Sequence, residues 1–376
     1  MLPSLIPIEN EPLTRMNSPH QSVTSAPGAA SPAWTLSRRD FLATSALAGG
    51  GLLLGPQGAT AAERAKNPAG SSKKALISIT LDLEMSRNFP TWDDTHWDYQ
   101  KGVLNDDTKR YAVEAARRVK ARGGLIHYFC VGRVLEQENV DWLKEIVQMG
   151  HPVGNHTYDH INILATKPED LQFRFKRAPW LIAGKTPAQV IRENILATNA
   201  ALKARIGIEP AGFRTPGGFA NGLDGRPDVQ QLLLDVGFKW VSGKSPGTVK
   251  VETGKEPTAD FIAAVVKTQS ESQPYIYPTG LVEVPMSFIS DVGAFRGGRW
   301  KLESFLKTVR AGVEWAIEHG GVFDLLTHPS VMYPSDPGFK VFDLVCDLVQ
   351  KAGDRAAIVD LDTLAQRAKP VKTASV

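Results

Sequence analysis

The chain has few cysteines, little net charge and no long hydrophobic run, and each shortage excludes a class of protein. Its only cysteines, Cys130 and Cys346, are too few and too far apart for a disulfide scaffold or a cysteine-rich zinc module, so we expect both in the core. A formal net charge of +3 gives no reason to expect a nucleic-acid partner. No internal stretch reaches the roughly 18 apolar residues that span a membrane. Hydrophobic residues nevertheless make up 42% of the 376 residues, which is enough for a large folded core.

The N-terminal region reads as an export signal. Arg38 and Arg39 precede Phe-Leu and then a short, glycine-rich, weakly hydrophobic segment, a pattern typical of twin-arginine signal peptides. Ala59-Thr60-Ala61 supplies the small-x-small pattern of a cleavage site. An uncleaved amphipathic helix after a chance Arg-Arg pair is the alternative. The signal predicts export by the twin-arginine machinery to the periplasm or the extracellular space, with no stable membrane span after cleavage.

The predicted organisation is a twin-arginine signal peptide at 1–61, a linker at 62–74 and a single catalytic domain at 75–370. Within that domain, strand-like and helix-like patterns alternate. The predicted strands are Leu76–Leu83, Leu125–Val131, Ala211–Arg214, Phe238–Ser242, Gly280–Pro285, Val322–Thr327 and Ala357–Asp360. The predicted helices are Asp107–Arg122, Val140–Met149, Pro187–Arg205, Pro227–Val236, 302–317 and Val341–Lys351.

Consecutive βα units favour a parallel sheet with its helices outside. The predicted fold class is therefore α/β, a distorted (β/α) barrel of about seven parallel strands. A doubly wound open sheet is the alternative. It is weakened because no phosphate-binding glycine-rich loop follows the first strand.

Two carboxylates come together at the end of the first predicted strand. Side chains alternate along a strand with period two, so Asp82 and Glu84 share one face and Leu83 points to the other. Two adjacent carboxylates repel each other unless a cation or a shared proton lies between them. A solvated strand end is the alternative interpretation.

A histidine pair lies in the segment that reads Gly-Asn-His-Thr-Tyr-Asp-His. His156 and His160 are four residues apart, so two neighbouring imidazoles can bind one metal from a helical turn or a curled loop. No Glu follows His156, which excludes the helical zinc-protease motif. A carboxylate from elsewhere would complete a two-His, one-carboxylate site with open positions.

Two further candidates are placed at the ends of apolar strands. A buried Arg214 would need a carboxylate partner, and we expect Asp82 or Glu84 to provide it. His328 is followed by a proline, and its ordinary pKa near neutrality suits proton transfer. An exposed loop arginine and a rim histidine with satisfied hydrogen bonds are the respective alternatives.

In this order the motifs resemble the polysaccharide deacetylase family, the NodB-type carbohydrate esterases, over roughly Leu76 to Leu364. Residues 150–160 resemble the family's metal-binding motif, 213–216 its Arg-x-Pro motif and 326–328 its Leu-x-His motif. The resemblance implies a distorted (β/α) barrel that hydrolyses N-acetyl groups, usually on glycans, with a divalent metal.

One position departs from the family pattern. Most members carry adjacent Asp-Asp at the first motif, whereas here Leu83 follows Asp82 and a Glu comes next. The implied metal ligands are then Glu84, His156 and His160, with zinc as the default ion and cobalt, nickel or manganese as alternatives. The departure puts a polymeric sugar substrate in doubt more than the metal.

The resemblance also implies acid–base roles. Asp82 is expected to act as the base, Arg214 to hold Asp82 in place and ionised, and His328 to protonate the leaving amine. An exchange of roles between Asp82 and Glu84 stays open. The expected reaction is deacetylation of an N-acetylated glycan or peptidoglycan. A cyclic amidase or imidase for small molecules and an inactive glycan-binding barrel are the alternatives.

Aromatic residues are candidates for a sugar-binding surface. The segment Thr91–Tyr99 follows the first strand and is rich in aromatic and acidic side chains, which suits sugar rings but equally a lid or an oligomer contact. Four others are predicted either to line the same cleft or to lie in the core: Trp240, Phe288, Trp300 and Tyr333.

Overall fold

The computed structural model describes residues 73–89, 99–247 and 251–370. All described residues belong to one compact unit of the chain. The signal peptide predicted at 1–61 and most of the linker predicted at 62–74 lie outside the described residues, so these boundaries stay predictions. No described helix combines the length and the apolar character that a membrane crossing needs.

In the described part of the chain, ten strands form one curled sheet. Their bounds are β1 Ala75–Leu83, β2 Ile126–Cys130, β3 Val153–Asn155, β4 Gly212–Phe219, β5 Trp240–Lys244, β6 Tyr275–Ile276, β7 Val282–Glu283, β8 Val322–Thr327, β9 Ala356–Ile358 and β10 Lys369–Pro370. The order is β10-β6-β7-β5-β4-β3-β2-β1-β8, and β9 pairs with the start of β1.

Seven neighbouring strands of this sheet are parallel: β8, β1, β2, β3, β4, β5 and β7. The strand β6 pairs antiparallel with β7. Strand order follows chain order from β1 to β5, without the reversal that defines a doubly wound sheet. The two sides of the curl approach each other where the Ser287 N–H donates to the Asp324 carbonyl at 2.9 Å. The predicted distorted barrel of about seven parallel strands is confirmed.

Helices follow most of the strands. Their bounds are α1 Asp106–Ala121, α2 Asp141–Gln148, α3 Phe173–Arg177, α4 Pro187–Ile206, α5 Pro227–Val236, α6 Ala259–Thr268, α7 Leu302–His319, α8 Pro329–Ser335, α9 Lys340–Ala352 and α10 Leu361–Ala365. Local chemistry sets several ends. Thr186 and Gln189 form a capping box at the start of α4, which ends at Gly207 in the left-handed region. Four helices and three short strands were not predicted from the sequence: α3, α6, α8, α10, β3, β6 and β10.

The two faces of β1 have opposite chemistry, as period-two alternation predicts. Ile77, Ile79, Leu81 and Leu83 are fully buried in the apolar cluster under the helices. Ser78, Thr80 and Asp82 are also buried, but on the barrel's interior side. Both cysteines are buried and free, as expected. The polar interior of the barrel leads directly to the residues of the candidate site.

Candidate metal centre and active site

Two of the predicted metal ligands and the predicted acid lie at the carboxyl ends of three parallel strands. Glu84 follows β1, His156 follows β3, and His328 follows β8. Two overlapping groups have their ligand atoms within 4.8 Å of one another: Glu84 with His156 and His160, and Glu84 with Asp82 and His328. Strands far apart in sequence therefore bring together every metal ligand that the sequence predicts.

Glu84 lies at the centre of the cluster. Its Oε1 is 3.0 Å from His156 Nε2, 2.9 Å from His160 Nε2 and 3.6 Å from His328 Nε2. Its Oε2 accepts from the ammonium of Lys101. Burial alone would raise the pKa of Glu84, but His160, Lys101 and the histidine hydrogen bonds outweigh it and lower the pKa well below its ordinary value. Glu84 is therefore a carboxylate at neutral pH.

The His-x3-His segment is a curled loop and not a helix. Asn155 ends β3, accepts from the Thr157 N–H at 2.8 Å and donates to the Ile195 carbonyl at 2.9 Å. Thr157 and His160 both have φ of 57°, in the left-handed region. This curl brings the rings of His156 and His160 to a centroid separation of 4.8 Å. Burial lowers the pKa of His160 to about 3, so its imidazole is neutral and can act as a ligand.

The orientation of His156 tests whether the donor set fits a metal. Its Nδ1 lies 2.9 Å from the Arg214 carbonyl, which can only accept, so Nδ1 carries a proton. In the neutral ring, Nε2 then presents a lone pair to Glu84 Oε1 at 3.0 Å. Two acceptors face each other at that distance favourably only with a cation or a proton between them. A second nitrogen fixed on a backbone carbonyl is also typical of metal-bound histidines. The residues therefore fit a divalent cation.

His328 has a different environment. Asp291 accepts from the His328 backbone N–H, and its Oδ1 lies 2.9 Å from His328 Nδ1. Burial disfavours the imidazolium, but the charge and hydrogen bond of Asp291, with Glu84 nearby, raise the pKa of His328 to about 10. His328 therefore carries a proton at neutral pH and faces the cleft with Nε2.

The predicted partner of Arg214 is wrong. Arg214 is fully buried inside the barrel, where its Nη2 donates to Asp324 Oδ2 at 3.0 Å and to Thr80 Oγ1 at 3.1 Å, and not to Asp82 or Glu84. Asp324 belongs to β8 and is 110 residues away in sequence, so only closure of the barrel brings the pair together. Arg214 contacts the candidate site through its backbone carbonyl, which lies 2.9 Å from His156 Nδ1.

Asp82 keeps an oxygen available. Its Oδ1 is buried and, among the described residues, has no hydrogen-bond partner, while its Oδ2 lies 3.7 Å from His156 Nε2. Asp82 also lines the cleft. A carboxylate in this position can accept a proton from a water or a substrate group.

The sequence analysis missed three charged residues around the site: Lys101, Asp291 and Asp324. One signal was present for Asp324, since a carboxylate in the middle of the apolar strand Val322–Thr327 must face a polar interior. Lys101 and Asp291 lie in segments without periodic pattern, so nothing local marks them.

The cleft above these residues has a volume of about 530 Å³. Asp82, Glu84, His160 and His328 contribute titratable groups to its lining. Small and aliphatic residues form most of the rest, including Gly217, Gly218, Ser245, Met286, Ser287 and Gly293. A Cβ at Gly218 would come within 2.6 Å of the Ser245 Cβ, so glycine is needed there.

No aromatic side chain lines the described part of the cleft. Trp240 and Trp300 are buried, Phe288 packs against the core, and Tyr333 is 41% exposed beside Tyr111. Of the four aromatics considered, none therefore forms a sugar platform in the cleft. Apart from Tyr99, the segment predicted as a substrate loop lies outside the described residues.

Comparison with known proteins agrees with the motifs. The polysaccharide deacetylase family model matches residues 91–237, a range that holds His156, His160 and Arg214. No curated protein matches the chain in sequence. The resemblance to polysaccharide deacetylases inferred from the motifs is confirmed.

Solved structures show the same fold. A protein from Mycobacterium smegmatis assigned as a polysaccharide deacetylase has a TM-score of 0.55 and 16% identity, covering 84% of this chain and 99% of its own. One from Pseudomonas aeruginosa PAO1, assigned likewise, has a TM-score of 0.50 and 14% identity, covering 78% and 90%. Puue allantoinase has a TM-score of 0.51 and 14% identity, covering 79% and 91%. At this identity the similarity is one of fold.

Proposed function

We propose that the protein is a metal-dependent hydrolase of linear carbon–nitrogen amide bonds, and that it removes the acetyl group from an N-acetylated glycan or peptidoglycan. The observation that carries the proposal is the grouping around Glu84, where a ligand set of one carboxylate and two imidazoles adjoins a free carboxylate oxygen and a protonated imidazole. Amide hydrolysis needs a base, an electrophile and an acid in one place.

The residues divide these tasks. Glu84, His156 and His160 would hold a divalent cation, with zinc as the default, which supplies a Lewis acid for the amide carbonyl oxygen. Asp82 takes the proton of the attacking water through its unpaired Oδ1. His328, protonated at neutral pH, gives its Nε2 proton to the leaving amine. Asp291 orients His328 and stabilises its charge.

The cleft supports two substrate classes. A volume of about 530 Å³ is ordinary for a small-molecule site and accommodates one N-acetylated sugar ring. The described lining has no aromatic face, which favours the second candidate, a small cyclic imide or ureide opened by the same groups. An inactive glycan-binding barrel is disfavoured because Glu84 supplies the carboxylate that Leu83 cannot.

The test is one assay with two substrates. The purified protein should contain about one divalent metal per chain, and it should release acetate from N-acetylated oligosaccharides. Ring opening of small imides without acetate release would transfer the proposal to the second candidate. Metal binding without either reaction would support the binding barrel. The His328→Ala variant is the matched control, since it should keep the metal and lose turnover.

We further propose export by the twin-arginine route, supported by Arg38 and Arg39 ahead of a weakly hydrophobic segment. Replacing both arginines by lysine should leave the precursor in the cytoplasm, because a receptor reads the pair. Fractionation of cells that express the double variant measures this. Normal export of the variant would contradict the proposal.

A further inference from the structure

Lys101 is a fully buried lysine in direct contact with the candidate metal ligands. Its residue exposure is 0%, which is rare for a lysine unless its charge is compensated. Its Nζ donates to Glu84 Oε2 and lies 3.2 Å from His160 Nε2. Neither the family match, which covers Lys101 but names no role for it, nor the proposed reaction uses this residue.

Backbone geometry fixes Lys101 in this position. The N–H of the next residue, Gly102, donates to the Glu84 carbonyl at 2.6 Å, which ties the two segments together. Gly102 has φ of +89°, and a Cβ there would come within 2.3 Å of the Arg133 Cβ. Only glycine allows this close packing, so the lysine beside it is built into the site.

The two carboxylate oxygens of Glu84 have different partners. Oε1 faces His156 and His160 Nε2 at 3.0 and 2.9 Å, whereas Oε2 is engaged by the Lys101 ammonium. A carboxylate held in this way offers a cation one oxygen and not two. The same ammonium also lies close to the His160 nitrogen that a cation would use.

We propose that Lys101 is a positioning residue that makes Glu84 a one-oxygen ligand and weakens divalent-cation binding at this site, an inference that rests on the proposed metal centre. Its positive charge repels a bound cation in a region of low dielectric, and it compensates part of the ligand charge. A cation held through one oxygen of Glu84 beside this charge would be released more readily than one held through both oxygens.

The experiment compares Lys101→Met with the wild-type chain. Methionine has about the length and volume of lysine but no charge, so removing the repulsion should make Co²⁺ and Zn²⁺ bind more tightly, by roughly tenfold or more, in competition with a chelator. The visible absorption of bound Co²⁺ should also change, because Glu84 can then supply both oxygens. Lys109→Met is the matched control, since Lys109 lies on α1 and pairs with Asp106, and it should change neither quantity.

An unchanged affinity, a weaker affinity or an unchanged Co²⁺ spectrum in Lys101→Met would each overturn the proposal. Thermal unfolding monitors the fold. If Lys101→Met is unfolded, Lys101→Gln takes its place with the same expectation. If both variants are unfolded, Lys101 is needed for folding and the proposal is wrong.

Tighter metal binding without any amide hydrolysis would uphold the role of Lys101 while contradicting the proposed function. A wild-type chain and a Lys101→Met chain that both fail to bind metal would contradict both.

Discussion

His160 and His328 contact the same carboxylate from two sides of the site but differ in their protonation. His160 Nε2 is 2.9 Å from Glu84 Oε1, and its pKa is lowered to about 3 by burial, with the Lys101 ammonium adding to the effect. His328 Nε2 is 3.6 Å from the same oxygen, and its pKa is raised to about 10 because Asp291 lies behind it. The charge of the neighbouring residue therefore decides whether a buried imidazole is neutral, as a metal ligand must be, or protonated, as a proton donor must be.

The largest change removes the carboxylate that both histidines share. Glu84→Ala should abolish metal binding and activity, since loss of a ligand costs more than the roughly 10–100-fold typical of outer partners. Metal stoichiometry after dialysis measures this. The double variant with Leu83→Asp should not recover the metal, because Leu83 is fully buried in the apolar cluster on the opposite face of β1. Recovery by Leu83→Asp would show that the period-two assignment of this strand is wrong.

Asp82, the proposed base, can be tested independently of both histidines. Asp82→Asn should keep the metal and lower kcat by roughly 10²–10⁴-fold, because an amide cannot take a proton from water. Steady-state kinetics alongside metal analysis check both halves of the expectation. A variant that loses its metal while Glu84→Ala retains it would mean that the two carboxylates exchange roles.

A smaller change makes His328 more like an ordinary histidine. Asp291→Asn keeps an acceptor for His328 Nδ1 but removes the charge, so the pKa of His328 should fall from about 10 toward its ordinary value near 6.5. The protonated acid is present below its pKa, so the alkaline limb of kcat/KM should move to lower pH. The surface control Asp343→Asn should leave the profile in place. If the alkaline limb of kcat/KM stays at the same pH in Asp291→Asn, His328 is not the proton donor.

The smallest expected effect is on stability and comes from the buried group of Thr80, Arg214 and Asp324. Thr80 Oγ1 bridges Asp324 Oδ1 and Arg214 Nη2, each at 3.1 Å. Thr80→Val should lower the free energy of unfolding by about 1–3 kcal/mol, because it leaves buried charged groups with one partner fewer. Metal stoichiometry should be unchanged, and chemical denaturation measures the loss. Thr198→Val, which removes an equally buried hydroxyl bonded within α4, is the control and should cost less.

The sequence predicted the proposed metal ligands better than it predicted the surroundings of His328, the proposed acid. Alternation along β1 placed Asp82 and Glu84 on one face, and the spacing of His156 and His160 indicated a shared metal, because both signals are local. The contact between His328 and Asp291 could not be predicted from such a local signal. Asp291 lies in a segment without period, and its contact depends on how the chain returns to β8.

The same distinction explains the error over Arg214. A buried guanidinium needs a carboxylate, and that inference is confirmed. Which carboxylate pairs with Arg214 depends on which strands face each other across the curled sheet. That arrangement is set by closure of the barrel and not by the local sequence pattern. Asp324 on β8 therefore took the place that the sequence analysis assigned to Asp82 or Glu84.

The metal content of two alanine variants, measured side by side, distinguishes a metal ligand from a proton donor. His160→Ala and His328→Ala each remove one imidazole beside Glu84 Oε1, so they are matched in size and place. We expect that His160→Ala loses its bound metal, whereas His328→Ala keeps about one metal per chain and loses turnover. Equal metal content in the two variants, whether both keep it or both lose it, would contradict the division of the site into a ligand side and an acid side.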